Sequence, residues 1–260
     1  MKYAICAREY GPMPDPAPRL TRNDIARRVA RELSDGAVVN LGIGIPALCT
    51  NFVPPGVNIR YMAENGILGF GEHYPDGEGD PDVMDAGGKF PKPSPGMAFF
   101  NSYEAFAMIR GGHIDVTVLG ALQVSRQGDL ANWMVPQRGI GSIGGAMDLA
   151  ANTKRVIVAM EHTARAPTRR PVPSPSQGEG QGVGLLANGE VAKIIDECTY
   201  PLTARRCVSM VVTDIAVIDV LSEGRGMLLR EVAPGWDAKS VQALTGARLD
   251  VAPGLRTMPA

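Results

Sequence analysis

Short runs of β-branched and small apolar residues, each too brief for a helix, constrain this chain more than any other feature. They fall at 37–39 (Ala-Val-Val), 57–62, 114–119 and 155–160, and as two runs around Thr213-Asp214 within 208–220. Strands made of such residues bury both faces, which is the habit of a parallel sheet. Between the runs the periodicity changes. Ile25, Val29, Ala30 and Leu33 recur at helical spacing behind Thr21, a residue suited to capping, and Asp35-Gly36 ends that segment. Pro46 suits the first turn of a helix over 46–52. Further helices are predicted at 102–110, stopped by Gly111-Gly112, and at 237–245, ended by Gly246. Strands alternating with helices predict an α/β fold, a mainly parallel open sheet flanked by helices.

The 31 Gly and 21 Pro among 260 residues make one position in five a backbone punctuator, so many sharp loops are required. Residues 69–96, rich in Gly, Pro and Asp, read as a long loop or lid. Residues 1–20 hold four prolines and little periodicity, and are expected to be a mobile leader to one domain over 21–260. Within that domain, 166–190 carries four Pro and five Gly in 25 positions with few apolar anchors, and reads as a disordered insertion in a surface connection.

Charge and composition exclude several functions. Lys plus Arg is 26 and Asp plus Glu is 27, a net charge of −1, so the chain lacks the basic surplus that nucleic acid or an anionic membrane demands. No apolar run approaches the roughly 18 residues that span a bilayer, and the start lacks a secretory signal; a soluble cytoplasmic protein is expected. Four scattered cysteines (Cys6, Cys49, Cys198, Cys207) and three scattered histidines (His73, His113, His162) form no metal-ligand spacing, so no metal site is expected.

Several segments could carry chemistry. Asn40-Leu41-Gly42-Ile43-Gly44-Ile45-Pro46-Ala47 joins a strand to a helix, and Gly42, Gly44 and Ala47 fit a loose dinucleotide fingerprint with Glu64 twenty residues after Gly44. On that spacing alone, a dinucleotide-dependent oxidoreductase competes with a purely structural turn. Ala63-Glu64-Asn65-Gly66 reads either as a strand end turning at Asn-Gly or as a carboxylate placed where open α/β sheets hold ligands. Gly144-Gly145-Ala146 ahead of a helix offers backbone N–H groups to an oxyanion or makes a tight turn. Arg110-Gly111-Gly112-His113 either meets an anionic substrate or is an ordinary helix end with a terminal cation.

Taken together, NLGIGIP at 40–46, ENGILGFG at 64–71, FAMIRGGHID at 106–115, LGALQVSRQGDLANWMVP at 119–136, GGAMDL at 144–149, MEH at 160–162 and CTYPLT at 198–203 are ordered and collinear. On these motifs the chain resembles the B (beta) subunit of class I 3-oxoacid CoA-transferases, from about 21 to 166 and again from 191 to 258. The resemblance implies that Glu64 is the catalytic nucleophile. It implies a thioester pocket lined by Asn40, Gly42, Gly44, Gly144, Gly145 and Ala146, with no permanently bound cofactor and with coenzyme A as substrate and covalent intermediate. It further implies an A (alpha) subunit as partner, in a heterodimer or heterotetramer whose active site lies between subunits. The acyl pair implied is succinyl-CoA with a 3-oxo acid such as acetoacetate or 3-oxoadipate.

Glutamate, ionised at neutral pH, needs no general base to attack a thioester, in keeping with the scarcity of histidine. The chain leaves the family pattern at Glu72-His73-Tyr74, where a proline-aromatic pair is usual, at 90–95, at Ser142, and in the 166–190 insertion. Glu72, His73 and Tyr74 follow the catalytic motif closely and are the candidates for acyl specificity.

Overall fold

The computed structural model describes residues 15–75, 77–139, 141–165, 185–186 and 188–259. Thr21 caps helix α1 (Arg22–Ala30): its hydroxyl accepts from the Asp24 amide while the Asp24 carboxylate accepts from the Thr21 amide. Strand β1 (Val38–Leu41) follows, then a 3₁₀ segment over Pro46–Phe52, then β2 (Arg60–Ala63). β3 (Ile67–Phe70) and the short β4 (Ala98–Phe99) bracket the long loop expected at 69–96. Helix α2 (Ser102–Arg110) leads to β5 (Val116–Leu119), and β6 (Gln123–Ser125) and β7 (Leu130–Ala131) form a hairpin. Helix α3 (Ala146–Asn152) precedes β8 (Arg155–Ala159). β9 (Thr163–Arg165) pairs with β10 (Glu190–Ala192), and β11 (Ile194–Ile195) pairs with β6. β12 (Val208–Val212), β13 (Ala216–Leu221), β14 (Gly226–Val232), helix α4 (Ala238–Ala243) and β15 (Leu249–Thr257) complete the chain.

Ten strands form one sheet in the order β15-β14-β13-β12-β8-β5-β1-β2-β3-β4. Its centre, β12-β8-β5-β1-β2, is wholly parallel. These are the strands read from the apolar runs, and β5 and nearly all of β8 are buried. Antiparallel pairings extend the sheet on both sides, through β3 and β4 at one flank and β13 and β14 at the other. Strands β14 and β15, at 226–232 and 249–257, were not anticipated from the sequence.

Glu32 ties helix α1 to the sheet. Its carboxylate meets Arg28 at 2.8 Å, Arg155 of β8 at 2.6 Å and Arg230 of β14 at 2.6 Å. Arg28 also pairs with Glu231 at 2.7 Å, and Glu231 with Arg256 of β15 at 2.9 Å. Burial opposes the charge on Glu32, but the three guanidiniums outweigh it and hold its pKa down to about 2.

The expectation of a mobile leader over 1–20 requires correction at its end. Residues 15–20 dock on the domain: the Leu20 amide donates to Asp214 O at 2.9 Å, and Arg19 meets Asp15, Glu190 and Thr163 at 2.7 Å each. Residues 1–14 lie outside the described residues, as do 166–184 and 187 of the expected insertion. The far end of that segment is structured, with Leu185 bridging to Val191 and Glu190 starting β10.

Candidate active site

In the parallel centre all carboxyl ends face one edge, and Glu64 stands there, one residue beyond β2. The Asn65-Gly66 turn reverses the chain into β3, with Ala63 opposite Ile67. Gly66 has φ +111, and a Cβ there would lie 1.9 Å from the carbonyl oxygen of Phe100, so only glycine fits. The chain thus turns at Asn65-Gly66, as expected, and Glu64 stands at the carboxyl end of a parallel strand.

Asn40 occupies the neighbouring position on β1 and is buried. Its Oδ1 accepts from the Thr117 hydroxyl of β5 at 3.3 Å, which fixes the amide's orientation. Nδ2 then donates to Met62 O and to Glu64 Oε2, both at 3.0 Å. One amide thus spans three strands and holds one carboxylate oxygen. The other oxygen faces Gly145, where an added Cβ would lie 3.2 Å from Oε1 and 3.3 Å from Cγ. The glycine therefore lets the chain pass directly against the carboxylate. Of the glycine-rich turn expected to supply N–H donors, the Ala146 amide is directed to Ile143 O at 3.4 Å.

Gly42 continues the ladder, its amide donating to Val118 O at 2.8 Å. Gly44 (φ +86) and Gly144 (φ +52) turn into open space. Exposed Ile43 and Ile143 stand on these two turns, and exposed Met84 on the long loop, where its carbonyl accepts from Asn65 Nδ2 at 2.6 Å. The surroundings of Glu64 thus carry an apolar rim.

The structure separates the three specificity candidates. Glu72 is exposed and paired with Lys92 at 2.9 Å, and the same lysine lies 5.7 Å from the Tyr74 ring centre. His73 turns inward, its Nε2 2.8 Å from Asp85 Oδ2 and its Nδ1 3.4 Å from the Thr50 hydroxyl. Arg110 is held by Asp148 at 2.7 Å and links helices α2 and α3, which favours the reading of 110–113 as a helix end. The dinucleotide fingerprint fails on geometry: Gly42 and Gly44 open a seven-residue 3₁₀ segment rather than an α-helix, so no aligned α-helical dipole faces a pyrophosphate.

Three thiols and one imidazole are poorly set for reaction. Burial pushes the thiols of Cys49, Cys198 and Cys207 up to about 12, and Cys6 lies outside the described residues. Burial drives His162 down to about 3, and its ring sits neutral between the hydroxyls of Thr213 and Thr245. Among the described residues no group of His, Cys, Asp and Glu could hold a metal ion, and no helix is long and apolar enough to cross a membrane. Sequence reading missed Thr117 and Asp85. Thr117 left a signal, a lone hydroxyl inside the apolar run 114–119, whereas Asp85 left none among the other acids of its loop.

Glu64 thus stands at the carboxyl edge of an α/β sheet, tethered through one oxygen by Asn40 and passed closely by Gly145. The chain matches the Coenzyme A transferase family over residues 22–182 and belongs to it; it is a CoA-transferase enzyme chain. It is 45% identical over 233 residues to the acetate CoA-transferase subunit beta of Escherichia coli K12, covering 90% of this chain and 95% of that one. It is 42% identical to human mitochondrial succinyl-CoA:3-ketoacid coenzyme A transferase 2, covering 91% of this chain but 41% of the human one. The chain thus spans nearly all of a bacterial beta subunit and less than half of the mitochondrial enzyme. Among solved structures, an acyl-CoA transferase from Escherichia coli O157:H7, in thioester complex with CoA, shares the fold at a TM-score of 0.63 and 21% identity, covering 96% of this chain and 45% of that one.

Proposed function

We propose that this chain is the glutamate-bearing subunit of a two-subunit CoA-transferase, with Glu64 as nucleophile. The observation that carries the reading is the Glu64 carboxylate itself, held through one oxygen by Asn40 at 3.0 Å and flanked at the other by Gly145. The carboxylate attacks the thioester carbonyl of an acyl-CoA, and collapse of the tetrahedral adduct expels CoA thiolate and leaves an acyl-glutamyl anhydride. The thiolate attacks the glutamyl carbonyl, expelling the first acid and forming a glutamyl-CoA thioester. The carboxylate of a second acid attacks that thioester and releases the thiolate. The thiolate then takes the new acyl group and frees Glu64, so kinetics are ping-pong. Each oxyanion is served by N–H groups at Gly144 and Gly145, and contacts to the remote CoA moiety help stabilise the strained intermediates.

The acyl pair proposed is succinyl-CoA with a 3-oxo acid such as acetoacetate or 3-oxoadipate. Relatives named for succinyl-CoA:3-ketoacid and 3-oxoadipate transfer, at 42% and 39% identity, support that choice. An A-type subunit completes the site in a cytoplasmic heterodimer or heterotetramer, in line with the beta-subunit relatives and with the exposed apolar residues around Glu64. The test is transfer from succinyl-CoA to acetoacetate by this chain co-expressed with such a subunit. Glu64→Gln should abolish transfer. Glu64→Asp, which withdraws the oxygens by about 1 Å, should cost roughly a hundredfold. Full activity in Glu64→Gln, or ordinary turnover by this chain alone, would overturn the proposal.

A further inference from the structure

The loop after β3 has two legs and a tip. The legs are zipped together: Gly71 N donates to Lys92 O at 3.0 Å, Lys92 N to Glu72 O at 2.8 Å, and Tyr74 N to Phe90 O at 2.9 Å. The tip, 84–88, reaches back over the carboxyl edge of the sheet. At one side Met84 O receives Asn65 Nδ2 at 2.6 Å, next to Glu64; at the other, Gly87 packs toward Ile43, with a Cβ there lying 3.7 Å from Ile43 Cγ1. The tip therefore bridges the turn that follows Glu64 and the turn of Gly42 and Gly44.

One carboxylate organises that tip. Asp85 Oδ1 accepts from the Gly87 amide at 2.8 Å and the Lys89 amide at 2.9 Å, and Oδ2 lies 2.8 Å from His73 Nε2. His73 is seated in turn against Thr50 of the 3₁₀ segment and against the Phe70 ring, 5.8 Å between centres. Both side chains of the pair are only 11% exposed. Burial disfavours the Asp85 charge, yet the His73 ring and the two amides prevail and hold its pKa below the ordinary value.

We propose that Asp85, held by His73, is a positioning residue that sets residues 84–87 as a wall of the acyl pocket and thereby selects which acid Glu64-bound CoA is passed to. The inference rests on Glu64 being the nucleophile. His73 and Asp85 touch neither Glu64 nor, in this arrangement, the reacting atoms; they act through Met84 and Gly87. Releasing the tip opens the pocket and relaxes discrimination by size. Pocket discrimination of one methylene is worth about 10–200-fold, and loss of a wall should forfeit at least the lower end of that range.

The experiment uses the assembled enzyme, this chain with its partner subunit, as wild type and as Asp85→Ala, Asp85→Asn and His73→Phe. Acetate, butyrate, 2-methylpropanoate and acetoacetate are compared by kcat and KM as acceptors, alongside thermal melting. Asp85→Ala should change the kcat/KM ratio of the largest to the smallest acid by about tenfold, chiefly through KM. His73→Phe should move the ratio the same way. Asp85→Asn, whose Oδ1 can still accept from both amides while Nδ2 faces the His73 ring, should restore the wild-type ratio to within about threefold. An unchanged ratio in Asp85→Ala would overturn the proposal, as would an equal loss toward every acid accompanied by a lower melting midpoint, which marks a merely structural pair. Wild-type activity in Glu64→Gln defeats instead the reading of the site on which the inference rests.

Discussion

Replacing Gly145 by alanine tests the geometry around Glu64 without disturbing the fold. Gly145 has φ −82 and ψ −1, a conformation alanine adopts freely, and it stands at the N-terminal end of helix α3. An added methyl would meet Glu64 Oε1 at 3.2 Å, Cγ at 3.3 Å and Cδ at 3.4 Å. The carboxylate must retreat to restore ordinary contact, while Asn40 tethers its other oxygen. A withdrawal of about 0.5 Å, on a scale where roughly 1 Å costs a hundredfold, predicts a loss near tenfold in kcat/KM. The exchange of Gly for Ala at a helix cap costs no more than ~1 kcal/mol, so the melting midpoint should fall by less than ~4 °C. Gly144→Ala is the control: its methyl would enter open space, and its cost is backbone strain at φ +52 rather than contact with Glu64. Steady-state transfer by the assembled enzyme and a thermal melt of each variant suffice. Wild-type kcat/KM in Gly145→Ala would refute the close passage of this turn past the carboxylate.

Glu32→Gln should lower the melting midpoint by ~6–12 °C, because removing the carboxylate shared by Arg28, Arg155 and Arg230 forfeits about 3 kcal/mol; a shift under 2 °C would refute its role. The pKa of Glu32 is depressed in the fold, so its stabilisation is complete above an ordinary value of 4.5 and is lost as pH falls toward about 2. Acid titration of stability should therefore be shallower in Glu32→Gln over that window, and parallel curves would contradict the assignment. Gly66→Ala should fail to accumulate as folded protein or should melt at least ~6 °C lower, since its Cβ would lie 1.9 Å from Phe100 O; a wild-type melt would disprove the turn geometry.

The parallel centre of the sheet was legible because its strands are buried on both faces and read as unbroken apolar runs, as in 116–119 and 155–159. Helix α2 was legible from its punctuation, ending at Gly111 as expected. Strands β14 and β15 escaped because charge interrupts them. Arg230, Glu231 and Arg256 face partners on other elements, a pairing that no periodicity reveals. The segment at 46–52 reads as helical, but tightens to a 3₁₀ segment that sequence spacing does not distinguish from an α-helix. Within the site, Glu64 and Asn40 were placed by motif resemblance, while the contact joining them arises from register, since Val38 of β1 pairs with Arg60 of β2 and carries the two strand ends to the same level. The His73–Asp85 pair spans twelve residues of irregular loop, where neither helix nor strand periodicity links partners.

The central claim is that Glu64 carries CoA during the reaction. The assembled enzyme, incubated with an acyl-CoA and no acceptor acid and then measured by intact mass, should show this chain heavier by one CoA. Borohydride should then convert the adducted residue to an alcohol located by peptide mapping at position 64, because a thioester is reducible and a carboxylate is not. No adduct should form in Glu64→Gln. An adduct on any other residue, or an unmodified chain in an enzyme that is turning over, would contradict the account.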